Sequence, residues 1–343
     1  MRYALLFSFA MLWASCAAPR QYKKLKTHEY AKPVDTQTKA IEIKEKGVFL
    51  IDGVGVSNNF PAARLNNFQR INDTLYAAFI SPENAPINPS PWYAFKIWAK
   101  EARTLNVRLE YGDFWHRYDP KISEDGEQWK TLDANMVQLG VDSTSATLKL
   151  DIDKDTLWVA AQEIQDTNRV RKWVDSFQGN DLVTVGTAGK SAKGRPLLHM
   201  NITEVTNTKK PTILVISRQH PPEVTGFLAM KAFIETMVEE GAKNGFFKQY
   251  RLMVYPLMNP DGADLGHFRH NTGGVDLNRD WSEYHQPEIA QISAHMVNET
   301  LEHRNNVLLG LDFHSTFQDV YYTPHESVKR KIPDFTKVWL EQI

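Results

Sequence analysis

The chain has 343 residues, 42% of them apolar and 24% charged, which is enough for two domains and excludes a disordered or membrane-spanning protein. Its 40 lysines and arginines nearly balance its 41 aspartates and glutamates, so the basic excess typical of nucleic-acid-binding proteins is missing. The single cysteine excludes an intrachain disulfide and a site of several thiolates, so a metal site must use histidine and carboxylate ligands.

Residues 1–16 predict an export signal. A short basic start is followed by an apolar run that ends at Ala14 and is too short for a bilayer core, which needs roughly 20 residues. Cys16 lies directly behind this run and resembles the lipidated cysteine of bacterial lipoproteins. The sequence therefore predicts a protein of the bacterial cell envelope, attached to the membrane through Cys16; the alternative is a signal peptide cut after Ala17. The polar residues 17–45 are predicted to form a tether.

Residues 46–165 show apolar residues at a period of two, in short runs broken by turn signals. This pattern predicts an all-β sandwich. Aromatic side chains are frequent in these runs, and they predict either core packing and cross-strand pairs or a sugar-binding face. The residues concerned are Trp92, Tyr93, Phe95, Trp98, Trp115, Trp129 and Trp158.

In residues 166–343, apolar runs of strand length alternate with helical stretches. Helices are predicted from Pro222 to about Glu240 and from about Pro287 to Arg304. Near-continuous apolar strands between long helices indicate a sheet covered on both faces, so this region is predicted to be an α/β domain.

Reactive side chains follow two of the predicted strands. His220 and Glu223 come just past the strand TILVIS, and His314 ends the strand VLLGLDF. Ligands of open α/β sheets gather where strands end, and two imidazoles with one carboxylate form a common catalytic zinc site. The alternatives are a loop histidine bonded to backbone at His220 and an ordinary strand-end histidine at His314.

The spacing of His220 and Glu223 is weak evidence by itself, because His285 and Glu288 repeat it. The second copy follows a polar loop instead of a strand. Glu288 is predicted to be the acidic first turn of the next helix.

The long loop from Asn259 to Trp281 carries Arg269, Asn278 and Arg279 between two well-formed elements. Guanidinium groups suit bidentate capture of carboxylates and stabilisation of oxyanions. The alternative is a turn-rich loop with surface arginines.

Taken together, the segments HPPE and NPDG, the stretch from Arg269 to Arg279 and the strand-end His314 resemble the zinc metallocarboxypeptidase family of carboxypeptidase A. Their spacing and the leading sandwich are most similar to the cytosolic-carboxypeptidase-like branch. The resemblance covers about Asp166 to Ile343 and implies a carboxypeptidase-like α/β fold with a mixed, mostly parallel sheet.

The resemblance also implies roles for individual residues. His220, Glu223 and His314 would bind one zinc ion. Arg269 would polarise the scissile carbonyl and hold the oxyanion, and Asn278 and Arg279 would grip the C-terminal carboxylate of a peptide. Asp276 would orient the first zinc histidine. His267 and His270 match no family ligand and are predicted to be polar loop residues.

The family's mechanism needs a glutamate as general base. The resemblance places it on a later strand, beyond Ile343, so the chain is expected to be a C-terminally truncated carboxypeptidase domain. The alternative is a domain that binds zinc or peptide termini without cutting.

The sequence thus predicts an exported, zinc-dependent carboxypeptidase that hydrolyses C-terminal residues from peptides by means of a metal-activated water. Two alternatives stay open: a non-catalytic surface protein that binds glycans or peptides, and a zinc deacylase that acts on N-acyl amino acids.

Overall fold

The computed structural model describes residues 34–141, 143–204, 209–302, 306–318, 320–323 and 334–342. Cys16, with the export signal and the first part of the predicted tether, lies outside the described residues. Within the described residues, no helix combines the length and the apolar character that crossing a membrane requires.

The first half of the described chain is built of strands, which form two sheets. The strands are β1 (Val48–Ile51), β2 (Val54–Ser57), β3 (Asn67–Arg70), β4 (Leu75–Phe79), β5 (Ala94–Ala99), β6 (Arg103–Glu110), β7 (Lys121–Ser123), β8 (Lys130–Thr131), β9 (Val137–Leu139), β10 (Ser145–Ile152) and β11 (Leu157–Ala160). A single 3₁₀ turn (Ala134–Met136) precedes β9. One sheet has the order β1-β2-β5-β11-β7-β8 and the other β3-β4-β6-β10-β9.

The two sheets share one apolar core, as expected for a sandwich. Alternate residues of β6 (Leu105, Val107 and Leu109) are buried in it, together with Ile97 of β5. The aromatic residues largely contribute to this core: Trp92, Tyr93 and Phe95 are buried, Trp129 and Trp158 pack against the cluster, and Trp115 is 62% exposed. The core interpretation is therefore confirmed for five of these residues, but not for the exposed Trp115 or the half-buried Trp98.

The second half is an α/β arrangement. Its elements are α1 (Thr167–Asp175), β12 (Val183–Lys190), β13 (Pro196–Ile202), β14 (Thr212–Ser217), α2 (Val224–Asn244), α3 (Phe246–Gln249), β15 (Arg251–Tyr255), α4 (Pro260–Leu265), a 3₁₀ turn (Leu277–Arg279), α5 (Pro287–Glu302), β16 (Val307–Phe313) and α6 (Phe335–Leu340). The sheet has the order β12-β13-β15-β14-β16. Strand β14 runs parallel to β15 and β16, whereas β13 is antiparallel to β12 and β15. The described sheet is thus mixed, as predicted, but half of its pairs are parallel instead of most.

Helices cover both faces of this sheet, as predicted. Trp173 of α1 and Phe227 of α2 belong to the apolar cluster on one face. Ile289 and Ile292 of α5 pack with Met253 of β15 on the other. Helix α2 ends at Asn244 and is capped by Gly245, whose φ of 75° is the left-handed conformation that glycine adopts without strain.

The described end of the predicted tether is docked on the protein. Thr36 is buried, its hydroxyl lies 2.9 Å from Nδ1 of His285, and its carbonyl accepts from the side chain of Gln286 at 2.8 Å. The backbone N–H of Lys39 donates to the carbonyl of Gly273 at 2.7 Å. Thr36 and Lys39 therefore bind to loops that belong to the α/β half of the chain.

Candidate metal centre

The candidate site lies where two parallel strands end together. In the register of β14 and β16, Ser217 is paired with Phe313, so both strands reach the same edge of the sheet. His314 follows β16 directly, and His220 lies in the short loop between β14 and α2. The apolar character of both strands thus fixes, through their pairing, where the two imidazoles emerge.

Glu223 lies between the two histidines. One carboxylate oxygen is 3.0 Å from Nδ1 of His220 and the other is 2.7 Å from Nδ1 of His314. The two rings are 5.0 Å apart between centroids, and one candidate ligand atom from each residue lies within 4.8 Å of the others. The side chains of His220 and His314, which are 94 positions apart in the sequence, therefore lie close enough to bind one ion.

The start of α2 explains how Glu223 reaches this position. The helix was expected from Pro222, but it begins at Val224, and Glu223 is its N-cap with a ψ of 60° and no side-chain cap bond. Because its carboxylate is turned to the imidazoles, it cannot cap the helix. At Gly226, a Cβ would lie 2.4 Å from the carbonyl oxygen of His314, so glycine lets this turn approach the end of β16.

The residues of the site shift one another's pKa values. Burial raises the pKa of Glu223, but hydrogen bonds and charge from His220 and His314 outweigh it and lower the pKa to about 2. Burial lowers the pKa of His314, whereas the carboxylates of Asp312 and Glu223 raise it to about 10. Glu223 is therefore an anion at neutral pH, as a metal ligand must be, whereas His314 must release its proton when a metal binds.

The outer nitrogens of both imidazoles also contact carboxylates. Nε2 of His220 lies 2.8 Å from Asp276, and Nε2 of His314 lies 2.9 Å from Asp312. Asp312 in turn accepts from the side-chain amide of Gln219 at 2.7 Å. A carboxylate on the far ring nitrogen fixes the orientation of a metal-binding imidazole.

Asp276 joins the histidine to Arg269. Its second oxygen accepts from Nε of Arg269 at 2.8 Å, and its first also accepts from the backbone N–H of Asn278. Burial raises the pKa of Asp276, but His220 and Arg269 hold it far below its usual range. The terminal nitrogens of Arg269 make no hydrogen bond to the described residues.

Asn278 and Arg279 lie on the adjoining 3₁₀ turn. The side chain of Asn278 is half-buried and that of Arg279 is exposed, donating only to the carbonyl of Asn278 at 3.1 Å among the described residues. Both side chains thus have donors available for an anionic ligand beside Arg269.

The residues present fit zinc. Two imidazole nitrogens face the two oxygens of one ionised carboxylate, and each imidazole is backed by a second carboxylate. Zinc prefers this set of nitrogen and oxygen ligands, and catalytic sites use three of them.

The second H-x-x-E copy forms no such centre. His285 contacts Thr36, and Glu288 is buried, where it accepts from the side chain of Asn271 at 2.9 Å and the backbone N–H of Ala192 at 3.1 Å. Glu288 does lie in the first turn of α5, as expected. Its contacts are those of a structural residue.

His267 and His270 are less exposed than the prediction of polar loop residues suggests. Both are buried: Nδ1 of His267 lies 2.9 Å from the carbonyl of His270, and Nδ1 of His270 lies 2.7 Å from the side-chain oxygen of Asn84. These two contacts stabilise the conformation of the loop around Arg269.

Sequence reasoning missed the residues that the sandwich brings to this site. The carboxylate of Glu83 accepts from the backbone of the Arg269 loop. The guanidinium of Arg117 donates to the carbonyl of Ser315, next to His314, at 3.5 Å. Burial raises the pKa of the Tyr118 phenol to about 12, the charge of Arg117 opposes this rise, and the charge of Glu223 adds to it.

Comparison with known proteins relates this geometry to a family. Residues 170–339 match the model of the zinc carboxypeptidase family. An uncharacterized protein of Zymomonas mobilis is 24% identical over 60% of this chain and 54% of its own length. Cytosolic carboxypeptidase 2 of Xenopus tropicalis is 30% identical over 37% of this chain and 14% of its own. The chain thus spans about half, or less, of the length of these relatives.

Solved structures share the fold. A putative carboxypeptidase A from Shewanella denitrificans superposes with a TM-score of 0.63 and 20% sequence identity. The superposition covers 76% of this chain and 69% of the Shewanella chain. A metallo-carboxypeptidase from Pseudomonas aeruginosa has a TM-score of 0.60 and 23% identity over 76% of this chain and 69% of its own. Residues 170–339 thus resemble the zinc carboxypeptidase family in sequence, and the solved structures show that the chain shares the carboxypeptidase fold.

Proposed function

We propose that the protein is a zinc-dependent carboxypeptidase that hydrolyses the C-terminal residue of peptides. The observation that carries this proposal is the convergence of His220, Glu223 and His314 next to Arg269, in a chain that matches the model of the zinc carboxypeptidase family. When bound, zinc supplies the Lewis-acid chemistry that amide hydrolysis requires.

Each residue of the chain has a role in this proposal. His220, Glu223 and His314 hold the metal, and Asp276 keeps the ring of His220 oriented. The terminal nitrogens of Arg269 donate to the carbonyl oxygen under attack, where negative charge develops. Asn278 and Arg279 bind the terminal carboxylate, since a guanidinium and an amide together offer several donors to its two oxygens.

The substrate class is a peptide with a free terminal carboxylate. The Pseudomonas aeruginosa structure is a complex with (2-guanidinoethylmercapto)succinic acid, a compound with two carboxylates, which makes it a suitable probe for this chain. We also propose that the protein is exported to the bacterial cell envelope and attached to the membrane through lipidated Cys16.

The test uses purified protein expressed from the complete gene and loaded with zinc, and an N-acylated dipeptide with a free C-terminus. We expect one zinc per chain, release of the terminal amino acid, and loss of release with a chelator or in His220→Ala. We expect Arg279→Ala to weaken binding of the succinic acid probe while zinc content stays at one.

Two outcomes count against the proposal. Equal cleavage by a metal-free preparation would exclude a zinc hydrolase. Binding of zinc and of the succinic acid probe is measured separately from turnover, so that a site that binds without cutting is recognised. Zinc and probe binding without turnover would favour the non-catalytic alternative.

A further inference from the structure

A buried carboxylate of the sandwich holds the backbone of the Arg269 loop. Glu83 lies in the loop after β4 and is fully buried. Its oxygens accept from the backbone N–H groups of Phe268 at 2.7 Å, Arg269 at 3.0 Å and His270 at 2.6 Å. Three consecutive amides on one carboxylate form a charge-assisted cluster, which is stronger than neutral hydrogen bonds.

The charge of Glu83 is retained in this buried place. Burial raises its pKa, but charge from His267 and Arg64 and the amide hydrogen bonds lower it below the usual value. Arg64 is itself fixed by the carbonyl of Ser81, to which it donates at 2.8 and 2.6 Å. The sandwich therefore presents an ionised carboxylate to the loop.

The neighbouring residue holds the other end of the same loop. The side-chain amide of Asn84 donates to the carbonyl of Gly274 at 3.1 Å, and its oxygen lies 2.7 Å from Nδ1 of His270. Gly274 has a φ of 68°, and a Cβ there would lie 2.6 Å from the Asn84 nitrogen. Glu83 and Asn84 thus restrain the loop on both sides of Arg269.

These contacts form a chain from the sandwich to the metal centre. Glu83 fixes the backbone of Arg269, Asp276 fixes its Nε at 2.8 Å, and Asp276 also contacts His220. We propose that Glu83 is a positioning residue for the reaction, which acts through Arg269, so that the sandwich is a working part of the active site. The catalytic part of this inference rests on the proposed function.

The appropriate variant is Glu83→Gln, which keeps the size of the side chain but removes its charge and turns an N–H₂ group towards amides that need an acceptor. The first readout needs no substrate. Amide hydrogen exchange of residues 268–270 is expected to be at least about tenfold faster than in the unaltered protein, with one zinc still bound per chain. Unchanged exchange at these amides would overturn the proposal.

The second readout is a double-mutant cycle on turnover. Alone, Glu83→Gln is expected to lower kcat by about 10–100-fold with little change in KM, because a displaced Arg269 acts on the transition state. In an Arg269→Ala background the same change is expected to alter kcat by less than about twofold. Equal losses in both backgrounds would show that Glu83 acts through general stability and would contradict the proposal.

The matched control is Asp264→Asn, which alters another buried carboxylate. Asp264 accepts from Thr167 at 2.9 Å and from Arg195 at 2.7 Å. We expect it to lower the melting temperature while kcat and the exchange at 268–270 stay close to the unaltered values. If it reproduces both effects of Glu83→Gln, the proposed specificity of Glu83 is wrong.

If Glu83→Gln does not fold, Asn84→Ala gives the same readouts, with a kcat loss of a few fold and faster exchange at the amide of His270. Absence of turnover in the unaltered protein would count against the proposed function. It would leave the exchange result to decide whether Glu83 holds the loop.

Discussion

The molecule contains the same four-residue pattern twice, with opposite outcomes. His220 and Glu223 stand at the end of a buried parallel strand, where a second strand brings His314 within reach. His285 precedes α5 and Glu288 lies in its first turn, where their side chains contact Thr36 and Asn271 and where no second histidine faces the carboxylate among the described residues. The comparison shows that spacing alone does not make a metal site; the neighbouring strand end does.

The electrostatics of the two glutamates differ in the same way. Burial raises the pKa of both, but two imidazoles lower that of Glu223 to about 2. At Glu288 burial prevails over the hydrogen bonds from Asn271 and Ala192, and the pKa stays raised. The carboxylate of Glu223 is therefore held in the charged form that binds a cation, whereas burial disfavours the charged form of Glu288.

The largest effect that tests this comparison is the loss of a ligand. We expect His220→Ala or His314→Ala to weaken zinc binding by more than about 100-fold, because loss of a direct ligand exceeds the roughly 10–100-fold typical of its supporting partners. His285→Ala, the matched change in the second copy, is expected to leave the affinity unaltered. Zinc titration of the three variants makes the measurement. Equal losses in both copies would mean that the metal does not distinguish them.

A smaller effect is expected from the residues that support each histidine. Asp276→Asn is expected to weaken zinc binding by about 10–100-fold, because it removes the ionised partner of Nε2 of His220. Thr36→Val, which removes the hydroxyl next to His285, is expected to leave the zinc affinity unchanged. Calorimetric titration compares the two. Unchanged binding in Asp276→Asn would show that this carboxylate does not support the site.

The closeness of α2 and β16 at the first copy predicts a steric effect. Gly226→Ala is expected to lower the free energy of unfolding by about 1–3 kcal/mol, because its Cβ would lie 2.4 Å from the backbone of His314. Gly310→Ala in β16, with no atom within 4 Å of its Cβ, is expected to change it by less than about 1 kcal/mol. Urea unfolding distinguishes the two, and similar losses would refute the close approach.

The smallest effect concerns pH at the second copy. Because burial raises the pKa of Glu288, the folded protein keeps a proton that the unfolded chain releases above its usual pKa of 4.5. The associated stability is complete below pH 4.5 and is lost as the pH rises through the folded pKa. Glu288→Gln lacks this titration, so we expect its unfolding free energy to fall less steeply as the pH rises above 4.5. Parallel profiles would contradict this.

The sequence predicted the elements that carry the site more reliably than the contacts that complete it. Strand β14 coincides with the run TILVIS, because a continuous apolar, β-branched segment bounded by polar residues has few other stable arrangements. The start of α2 was placed too early, at Pro222, because the sequence does not show that the side chain of Glu223 is turned away from the helix.

Contacts between distant segments were beyond prediction. Glu83 and Tyr118 belong to a sandwich whose period-two pattern indicates strands but not which loops face the other sheet. Asp312 is an exposed position on β16, and only the placement of Gln219 and His314 beside it gives it a role. Such contacts depend on the packing of the two halves, which leaves no local pattern in either.

The central claim is that one divalent cation binds between His220, Glu223 and His314. Crystals grown with zinc, with anomalous diffraction measured at the zinc absorption edge, test it most directly. The account predicts one strong peak bonded to Nδ1 of both histidines and to the Glu223 carboxylate. A peak at His285 and Glu288, or a fully occupied zinc elsewhere with these three side chains still bonded to one another, would contradict it.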